Sequence, residues 1–567
     1  MKAFAGLYRE LDAATATRHK IEALKAYLAL ALADPAKWGE AAWIVYFLAG
    51  GKPKQMIPTR ALRRLAREAT GLPEWLVEES YQNVGDLAET LALLLPPSQA
   101  AEDVSLETWM DERLPGLRKL DDEERYQRLA AYAAAMPNSD RLAFFKLTTG
   151  GLRIGVAKGQ VVQALAEATG LDSPAMAQRL MGYTQAGRAV GAQDFARLVA
   201  PAEAGASPDD ARPYPFFLAH QLNAPVEELG EKLGPTERWL AEWKFDGIRA
   251  QLLTRGGDWR LWSRGEELIS ESFPDLAVLA AALPDGVALD GEIVVARAGS
   301  GIDGIEPFAR LQQRLNRKTL TRRLMADLPI AFIAYDLLRE QGVDLRPLPQ
   351  IERRARLELV VATAQARGAS ALRLSPRVEA PDWPGLQALR LKARDIGAEG
   401  LMLKGRDAPY GVGRKRSGPG ERDLWWKWKV DPFAIDAVLI YAQKGHGRRA
   451  NLYSDYTFAV WNGPEGAPGR ALVPFAKAYS GLTDEEMREV DAIIRDATVE
   501  SFGPVRSVKP TLVFELGFEG IALSTRHKSG VATRFPRMLR WRRDKPAAEA
   551  DTLESLRALL PGDANVP

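Results

Sequence analysis

The chain has 567 residues, of which 46% are apolar and 26% are charged, a composition typical of globular proteins. At roughly 100–200 residues per domain, this length predicts about three domains. The 76 Lys and Arg residues nearly balance the 74 Asp and Glu residues, so any binding of nucleic acid must come from local basic patches. Cysteine is absent, which excludes disulfides, thiol nucleophiles, iron–sulfur clusters and cysteine zinc sites. The four histidines lie far apart, without the spacing of a zinc site.

The sequence contains no recognisable targeting or membrane segment. No stretch approaches about 18 uncharged apolar residues, and the first residues lack the apolar core of a signal peptide. We therefore expect a soluble, cytoplasmic protein that does not bind membranes.

Residues 1–205 have the pattern of an all-α domain. Apolar residues recur at helical spacing, for example at Ile21, Leu24 and Leu28, and no sustained strand-type alternation is present. The stretch 201–215, rich in Pro, Ala and Asp, predicts a loop leading into the next domain.

Residues 206–430 alternate β-type runs with helical segments, which predicts a mixed α+β domain. The predicted strands are Trp239–Phe245, Ile248–Leu253, Val287–Ala296 and Ile330–Leu337, and the clearest helix is Glu352–Gln365.

Strand-like runs dominate residues 431–550, with one helix at Asp484–Ala497. The runs are Ala434–Tyr441, Thr457–Trp461 and Thr511–Glu519. Short strands with a single helix over about 120 residues predict an OB-fold β-barrel. Residues 551–567 form a C-terminal tail with a possible last helix at Thr552–Leu560. The predicted fold class is therefore multidomain, with all-α, α+β and β-barrel parts in that order.

The most informative local pattern is Lys244-Phe245-Asp246-Gly247, flanked by Glu242 and Arg249. A lysine forms a bond to phosphorus only as a neutral amine, so nearby cations must lower its pKa or a partner must take its proton. Asp246 could orient the ammonium or hold a metal, and Gly247 permits a tight turn. Taken alone, this short pattern is more typical of a charged β-turn than of a catalytic site.

Further blocks follow in a fixed order. They are Ser263–Gly265, Leu289–Val294, Ala334–Leu338, Glu399–Lys404, Trp425–Lys429, Arg534–Arg537 and Arg543–Lys545. In this order they resemble the motifs of covalent nucleotidyltransferases, the superfamily of DNA ligases, RNA ligases and mRNA capping enzymes. The sequences E-G-L-M-L-K, W-x-K-x-K and R-F-P-R are most similar to those of ATP-dependent DNA ligases. Gly151–Val156 resembles a signature of the helical DNA-binding domain of those enzymes, so the resemblance covers about residues 1–545.

This resemblance implies an ATP-grasp-like adenylation domain at 206–430 and makes Lys244 the nucleophile that takes AMP from ATP. Glu242 lies where the family reads the adenine amino group, and Tyr335 lies where it usually has a Phe stacked on adenine. The hydroxyl of Tyr335 therefore needs a partner. The other implied nucleotide contacts are Arg249, Arg264, Glu292, Lys404, Arg422, Lys427, Lys429, Asp544 and Lys545.

Glu292 and Glu399 are the implied metal ligands. Because a few carboxylates, phosphates and water suit magnesium better than zinc, we expect Mg²⁺ (or Mn²⁺). Phosphoryl transfer depends on positioning and charge neutralisation, which is consistent with several cations around a triphosphate. Each residue also has a structural interpretation: the two Glu residues as edge-strand charges, Tyr335 as a core aromatic, and Lys427 and Lys429 as solvated residues between packed tryptophans.

Basic patches predict contact with a phosphate backbone, independent of base sequence, and the family resemblance implies that the partner is nicked double-stranded DNA. They lie at Ala309–Leu324, Gly413–Lys429 and Arg534–Lys545. The candidate DNA contacts are Arg153, Arg310, Arg314, Arg317, Arg537 and Arg540. A weaker patch (Arg60, Arg63, Arg64 and Arg67) also fits a solvated helix face. Patches in all three predicted domains suggest that the protein wraps a duplex by rotation near residues 430–433.

We therefore expect a monomeric ATP-dependent DNA ligase that seals nicks through lysyl-AMP and DNA-adenylate in repair, replication or recombination, associated with the nucleoid when on DNA. An RNA ligase or a capping guanylyltransferase is the alternative within the superfamily, and the helical front region argues against it. An NAD-dependent ligase is disfavoured because those enzymes carry a cysteine zinc module. A non-catalytic nick-binding protein is the alternative of a different class.

Overall fold

A computed structural model describes most of the chain. The described residues are 1–51, 56–98, 102–152, 155–184, 189–201, 212–297, 300–301, 304–315, 320–414, 425–445, 452–502 and 505–560. The chain forms two units that interleave along the sequence. The first contains Met1–Pro53, Val104–Arg113 and Leu152–Val430, and the second contains Lys54–Asp103, Leu114–Gly151 and Asp431–Pro567.

The N-terminal region is mostly helical, as predicted. In the first unit its α-helices are Lys2–Ala13, Thr17–Leu32, Trp38–Leu48, Leu106–Thr108, Lys158–Thr169, Ser173–Arg179 and Ala192–Val199. In the second unit they are Thr59–Thr70, Glu74–Val84, Leu87–Leu94, Leu114–Leu117, Asp122–Ala135 and Asn138–Thr149. Local signals set the helix ends: the Asp121 carboxylate accepts from the first backbone N–H groups of one helix, and Gly150, with φ of 73°, ends another.

Two sheets form the rest of the first unit. The smaller one has the order β1-β10-β9-β2, and the larger one has the order β4-β3-β5-β6-β7 with β8 beside β6. The strands of the first unit are β1 His220–Gln221, β2 Trp239–Phe245, β3 Ile248–Arg255, β4 Asp258–Ser263, β5 Ala288–Val295, β6 Ile330–Glu340, β7 Val343–Asp344, β8 Leu372–Leu374, β9 Ala398–Gly405 and β10 Trp425–Lys429. The accompanying helices are Val226–Leu233, Ala277–Ala282, Phe308–Leu315, Arg322–Asp327, Gln350–Ala366 and Trp383–Leu391. The four predicted strands and the predicted helix of this region are confirmed to within a few residues.

The chain passes from the smaller sheet to the larger one at Asp246 and Gly247, between β2 and β3. The junction is packed tightly: a Cβ on Gly247 would lie 2.2 Å from the Ile293 carbonyl oxygen and 2.9 Å from Cγ of Glu292. Trp425 of the smaller sheet packs in one apolar cluster with residues of the larger sheet. This crossover brings the motif residues of both sheets to one place.

The second unit ends in a β-rich region. Its strands are β11 Phe433–Lys444, β12 Tyr453–Trp461, β13 Leu472–Ala478, β14 Thr498–Phe502, β15 Val505–Val508, β16 Val513–Phe518, β17 Gly520–Leu523, β18 Val531–Arg534 and β19 Arg537–Trp541. The helices are Asp484–Asp496, which starts with a Thr483/Glu486 capping box, and Leu553–Arg557. The main sheet has the order β13-β12-β11-β15-β14; β16 also pairs with β11, and β19 pairs with β16. The pairings among the described strands do not close into a ring, so the predicted barrel is not confirmed.

No helix in the described ranges combines the length and the apolar character needed to cross a bilayer.

Candidate active site

Lys244 lies near the end of β2, where the register with β9 shifts between Trp243 and Phe245. Its Nζ lies 2.5 Å from Oε2 of Glu399 on β9, and Nζ of Lys429 on β10 lies 3.2 Å from the same oxygen. All three side chains are partly exposed. Two ammonium groups therefore share one carboxylate oxygen at the junction of the two sheets.

The Glu399 carboxylate is held ionised by these lysines. Burial alone would raise the pKa of Glu399, but the charges and hydrogen bonds of Lys244 and Lys429 outweigh burial, and the pKa is lowered. Lys427, two residues before Lys429, has a lowered pKa because it is partly buried and faces Lys429 and Lys244. The site thus concentrates positive charge, as binding of a polyphosphate requires.

Glu292 on β5 faces the same place from the larger sheet. Burial raises the pKa of Glu292 to about 7, although Lys244 and Arg249 act to lower it, and the nearby Asp246 and Asp290 raise it further. A buried carboxylate with a raised pKa is suited to bind a cation, because the positive charge would offset the free-energy cost of ionising the carboxylate in a buried position.

Glu292 and Glu399 fit a magnesium ion. Both offer hard oxygen ligands, and Mg²⁺ is usually bound by one or two carboxylates together with phosphates and water. The described residues contain no group of three or more acidic or imidazole side chains able to hold a metal by themselves. A site completed by the nucleotide phosphates is consistent with both observations.

Arg249 on β3 is held in a buried network. Its Nε and Nη2 donate to the Asp290 carboxylate at 3.2 and 2.7 Å, and its Nη1 donates to the Phe217 carbonyl at 2.7 Å. Burial alone would lower the pKa of Arg249, but Asp290 holds it well above its ordinary value. The hydroxyl of Tyr335, which the sequence left without a partner, donates to Asp290 at 3.2 Å.

Glu242 lies between two buried cations. Its Oε1 is 2.5 Å from an Nη1 of Arg354, and its Oε2 is 2.7 Å from Nζ of Lys404. Lys404 also donates to the Tyr335 carbonyl at 2.9 Å and lies 4.6 Å from the centroid of the Tyr335 ring. Since Lys404 is only 1% exposed, these surroundings do not support the predicted phosphate contact and instead place Lys404 beside Glu242 and the aromatic ring.

Arg264 follows β4 and is exposed, and its backbone N–H donates to the Arg249 carbonyl at 3.0 Å. Asp544 and Lys545 belong to the second unit. There Asp544 pairs with Arg542 at 2.8 Å, and Lys545 pairs with Asp436 at 2.8 Å. Arg422 lies outside the described residues.

The predicted DNA contacts have different outcomes. The predicted DNA contact of Arg314 is corrected by the structure. Its guanidinium is buried and donates to Asp275 and to backbone carbonyls, so it cannot contact a DNA backbone at the surface. Arg310 pairs with Glu306 and is partly exposed. Arg537 and Arg540 pair with Glu519 and Glu515 at 3.0 and 3.3 Å. Arg153 and Arg317 lie outside the described residues.

The weaker N-terminal patch has acidic partners. Arg60, Arg63, Arg64 and Arg67 pair with Asp122, Glu78, Glu123, Glu68 and Glu74. These pairs favour the interpretation of this patch as a solvated helix face.

Asp290, Arg354 and Tyr410 are site residues that the sequence analysis did not assign. Asp290 could have been found, because it stands two positions before Glu292 on a strand and so shares its face. Tyr410, whose hydroxyl donates to Asp290 at 2.7 Å, and Arg354, on helix Gln350–Ala366, belong to none of the recognised motifs.

An amine beside a carboxylate, surrounded by further lysines and a second carboxylate, has the groups that nucleotidyl transfer to a lysine would use. Family models match the chain in three segments: DNA ligase N terminus at residues 1–166, ATP dependent DNA ligase domain at 216–429, and ATP dependent DNA ligase C terminal region at 449–545.

Comparison with individual proteins indicates the same family. A probable DNA ligase of Koribacter versatilis is 32% identical over 514 residues, covering 87% of this chain and 84% of that protein. A DNA ligase of Methanoculleus marisnigri is 32% identical over 409 residues, covering 71% and 68%. The solved structure Pmar-Lig_PreS3 has the same fold, with a TM-score of 0.58 at 14% identity over 95% of this chain and 99% of that chain. The chain belongs to the ATP-dependent DNA ligase family.

Proposed function

We propose that this enzyme seals nicks in duplex DNA in three steps that begin at Lys244. The lysine nitrogen attacks the α-phosphorus of ATP, forming an N–P bond as the bond to pyrophosphate breaks. AMP then moves to the 5′-phosphate of a nick, and the adjacent 3′-hydroxyl displaces it. The observation that carries this proposal is the contact of Lys244 with Glu399 beside Lys427 and Lys429, because the carboxylate orients the lysine nitrogen and the further cations suit a bound triphosphate.

The base and sugar of ATP would lie along Tyr335, Glu242 and Arg249. Tyr335 offers an aromatic face for stacking, and Glu242, which pairs with Arg354 and Lys404, offers an acceptor for the adenine amino group. Arg249, with Arg264 after β4, would contact the ribose or the phosphates.

Lys427 and Lys429 would hold the α-phosphate and the leaving pyrophosphate, since the electrostatic coupling of Lys427 to Lys244 and the shared contact of Lys429 and Lys244 with Glu399 put both beside the nucleophile. Arg422, Asp544 and Lys545 would complete this part of the site. Glu292 and Glu399 would hold Mg²⁺ (or Mn²⁺), which neutralises charge on the phosphates.

DNA would be bound by the helical region at 1–205 and by Arg153, Arg310, Arg317, Arg537 and Arg540. We assign the adenylation domain to 206–430, an OB-fold domain to 431–550 and a tail to 551–567, and propose a monomer in which the domains rotate near residues 430–433. The strand-rich sequence with one helix, Asp484–Asp496, supports the OB-fold assignment.

Lys244→Ala tests the proposal. The variant should take no AMP from ATP and seal no ordinary nick. It should still bind nicked DNA and seal a nick that already carries AMP, because the last step does not use the lysine nitrogen. An unchanged sealing rate on ordinary nicks would overturn the assignment of Lys244.

A further inference from the structure

Asp290 on β5 is buried, and each of its two carboxylate oxygens accepts two hydrogen bonds. Oδ1 accepts from the Tyr335 hydroxyl and from Nε of Arg249, both at 3.2 Å. Oδ2 accepts from Nη2 of Arg249 and from the Tyr410 hydroxyl, both at 2.7 Å. The carboxylate is 0% exposed, so these bonds form without competition from solvent.

Most of the N–H donors of Arg249 are occupied by Asp290 and the residues around it. A guanidinium has five N–H donors. Among the described contacts, Nε and one Nη2 hydrogen go to Asp290, Nη2 also reaches the Tyr410 hydroxyl at 3.3 Å, and Nη1 donates to the Phe217 carbonyl. Within these described contacts, one Nη1 hydrogen of Arg249 is left for a ligand. Its direction is fixed, because the other four N–H groups of the planar guanidinium are held by hydrogen bonds.

The ring and the arginine are therefore tied to the same carboxylate. Tyr335 stands where ATP-dependent DNA ligases usually have a Phe. A Phe has no hydroxyl and could not donate to Oδ1 of Asp290. The guanidinium carbon of Arg249 also lies 5.8 Å from the centroid of the Tyr335 ring. A shift of either group changes the hydrogen bonds available to the other.

We propose that the Tyr335 hydroxyl is a positioning group for nucleotide binding, which acts through Asp290 to hold the free N–H of Arg249 and the aromatic ring in one arrangement. This inference rests on the proposed function, and deepens it by assigning to this chain a coupling between the base-stacking ring and the ribose- or phosphate-binding arginine.

A double-mutant cycle on nucleotide affinity tests it. The dissociation constant of a non-cleavable α,β-methylene ATP analogue with Mg²⁺ is measured by calorimetry for the wild type, Tyr335→Phe, Arg249→Lys and the double variant. We expect Tyr335→Phe alone to weaken binding about three- to tenfold, the range of one lost hydrogen bond. In the Arg249→Lys background the same change should have less than half of that effect on a logarithmic scale.

Tyr183→Phe is the matched control. Tyr183 is buried in the first unit, and its hydroxyl donates to the Ala42 carbonyl of helix Trp38–Leu48 at 3.3 Å. This variant should lower the melting temperature about as much as Tyr335→Phe but leave analogue binding unchanged. Equal binding effects of the two substitutions, or effects of Tyr335→Phe and Arg249→Lys that multiply independently, would overturn the inference. Failure of the proposed function is separate, since it would show as a wild-type protein that takes no AMP from ATP.

Discussion

Nζ of Lys244 lies 2.5 Å from Oε2 of Glu399, although the two residues are 155 positions apart in the sequence. The pairing of β2 with β9 brings them together, and Lys429 on β10 adds a second ammonium to the same oxygen. This three-residue contact is the part of the site from which the predictions below begin.

Glu399→Gln should reduce the rate of lysine adenylation by about 100-fold or more while the protein stays folded. The amide keeps the shape of the side chain but removes the charge between Lys244 and Lys429, and losses of this kind at preorganised sites cost about 10²–10³ in rate. Single-turnover labelling with ATP, together with circular dichroism, measures both properties. A rate within threefold of wild type would exclude a role for the Glu399 charge.

Arg354→Met should destabilise the protein by roughly 3–5 kcal/mol, because it removes one partner of a buried ion pair and leaves Glu242 with Lys404 alone. Adding Glu242→Gln to that variant should lower the free energy of unfolding further, because the buried Lys404 then loses the carboxylate it pairs with, and should not restore the affinity for ATP. Urea unfolding and calorimetry test the two parts separately. Equal stability of the single and double variants would contradict the buried charge pairing.

The raised pKa of Glu292 predicts that the stability of the protein, free of nucleotide and metal, depends on pH. Its folded-state pKa of about 7 is higher than the ordinary value of 4.5, so its contribution to stability is complete below pH 4.5 and is lost as the pH rises to about 7. Glu292→Gln cannot ionise, and its melting temperature should therefore rise relative to wild type between pH 5 and pH 8. The exposed Glu271→Gln serves as the control. Parallel curves for wild type and Glu292→Gln would show that the shift is absent.

Gly247→Ala should impair both folding and adenylation, because the new Cβ would lie 2.2 Å from the Ile293 carbonyl oxygen and displace the crossover beside Lys244. Gly230→Ala is the matched control in the same unit. Its Cβ would have only an ordinary contact at 3.9 Å in helix Val226–Leu233, where alanine is favoured by about 0.5–1 kcal/mol. A Gly247→Ala enzyme as active and stable as Gly230→Ala would show that the crossover tolerates a side chain.

Four strands of residues 206–430 and helix Gln350–Ala366 were predictable, because short apolar runs such as β2 indicate strands and apolar residues at helical spacing indicate a helix. The motif residues Lys244, Glu292 and Glu399 were also predictable, since each stands in a recognisable block. The nucleotide-binding role assigned to each of them stays a prediction.

Pairings between distant segments could not be predicted. Arg314 was assigned to the surface because its helix is basic, but it pairs with Asp275, which lies 39 positions away. In the same way, Arg354 meets Glu242 across 112 positions, and nothing in the local sequence of either residue indicates the other. Such contacts depend on the tertiary fold rather than on periodicity.

The most direct test of the central claim incubates the protein with ATP, GTP or NAD in parallel reactions, each labelled at the phosphate that would be transferred, in the presence of Mg²⁺, followed by a chase with nicked duplex DNA. The account predicts that label from ATP alone becomes bound to the protein at Lys244, passes to the DNA 5′-phosphate and leaves as AMP when the nick is sealed. Label from GTP would indicate capping chemistry, and no covalent label from any nucleotide would contradict the assignment of Lys244 as nucleophile.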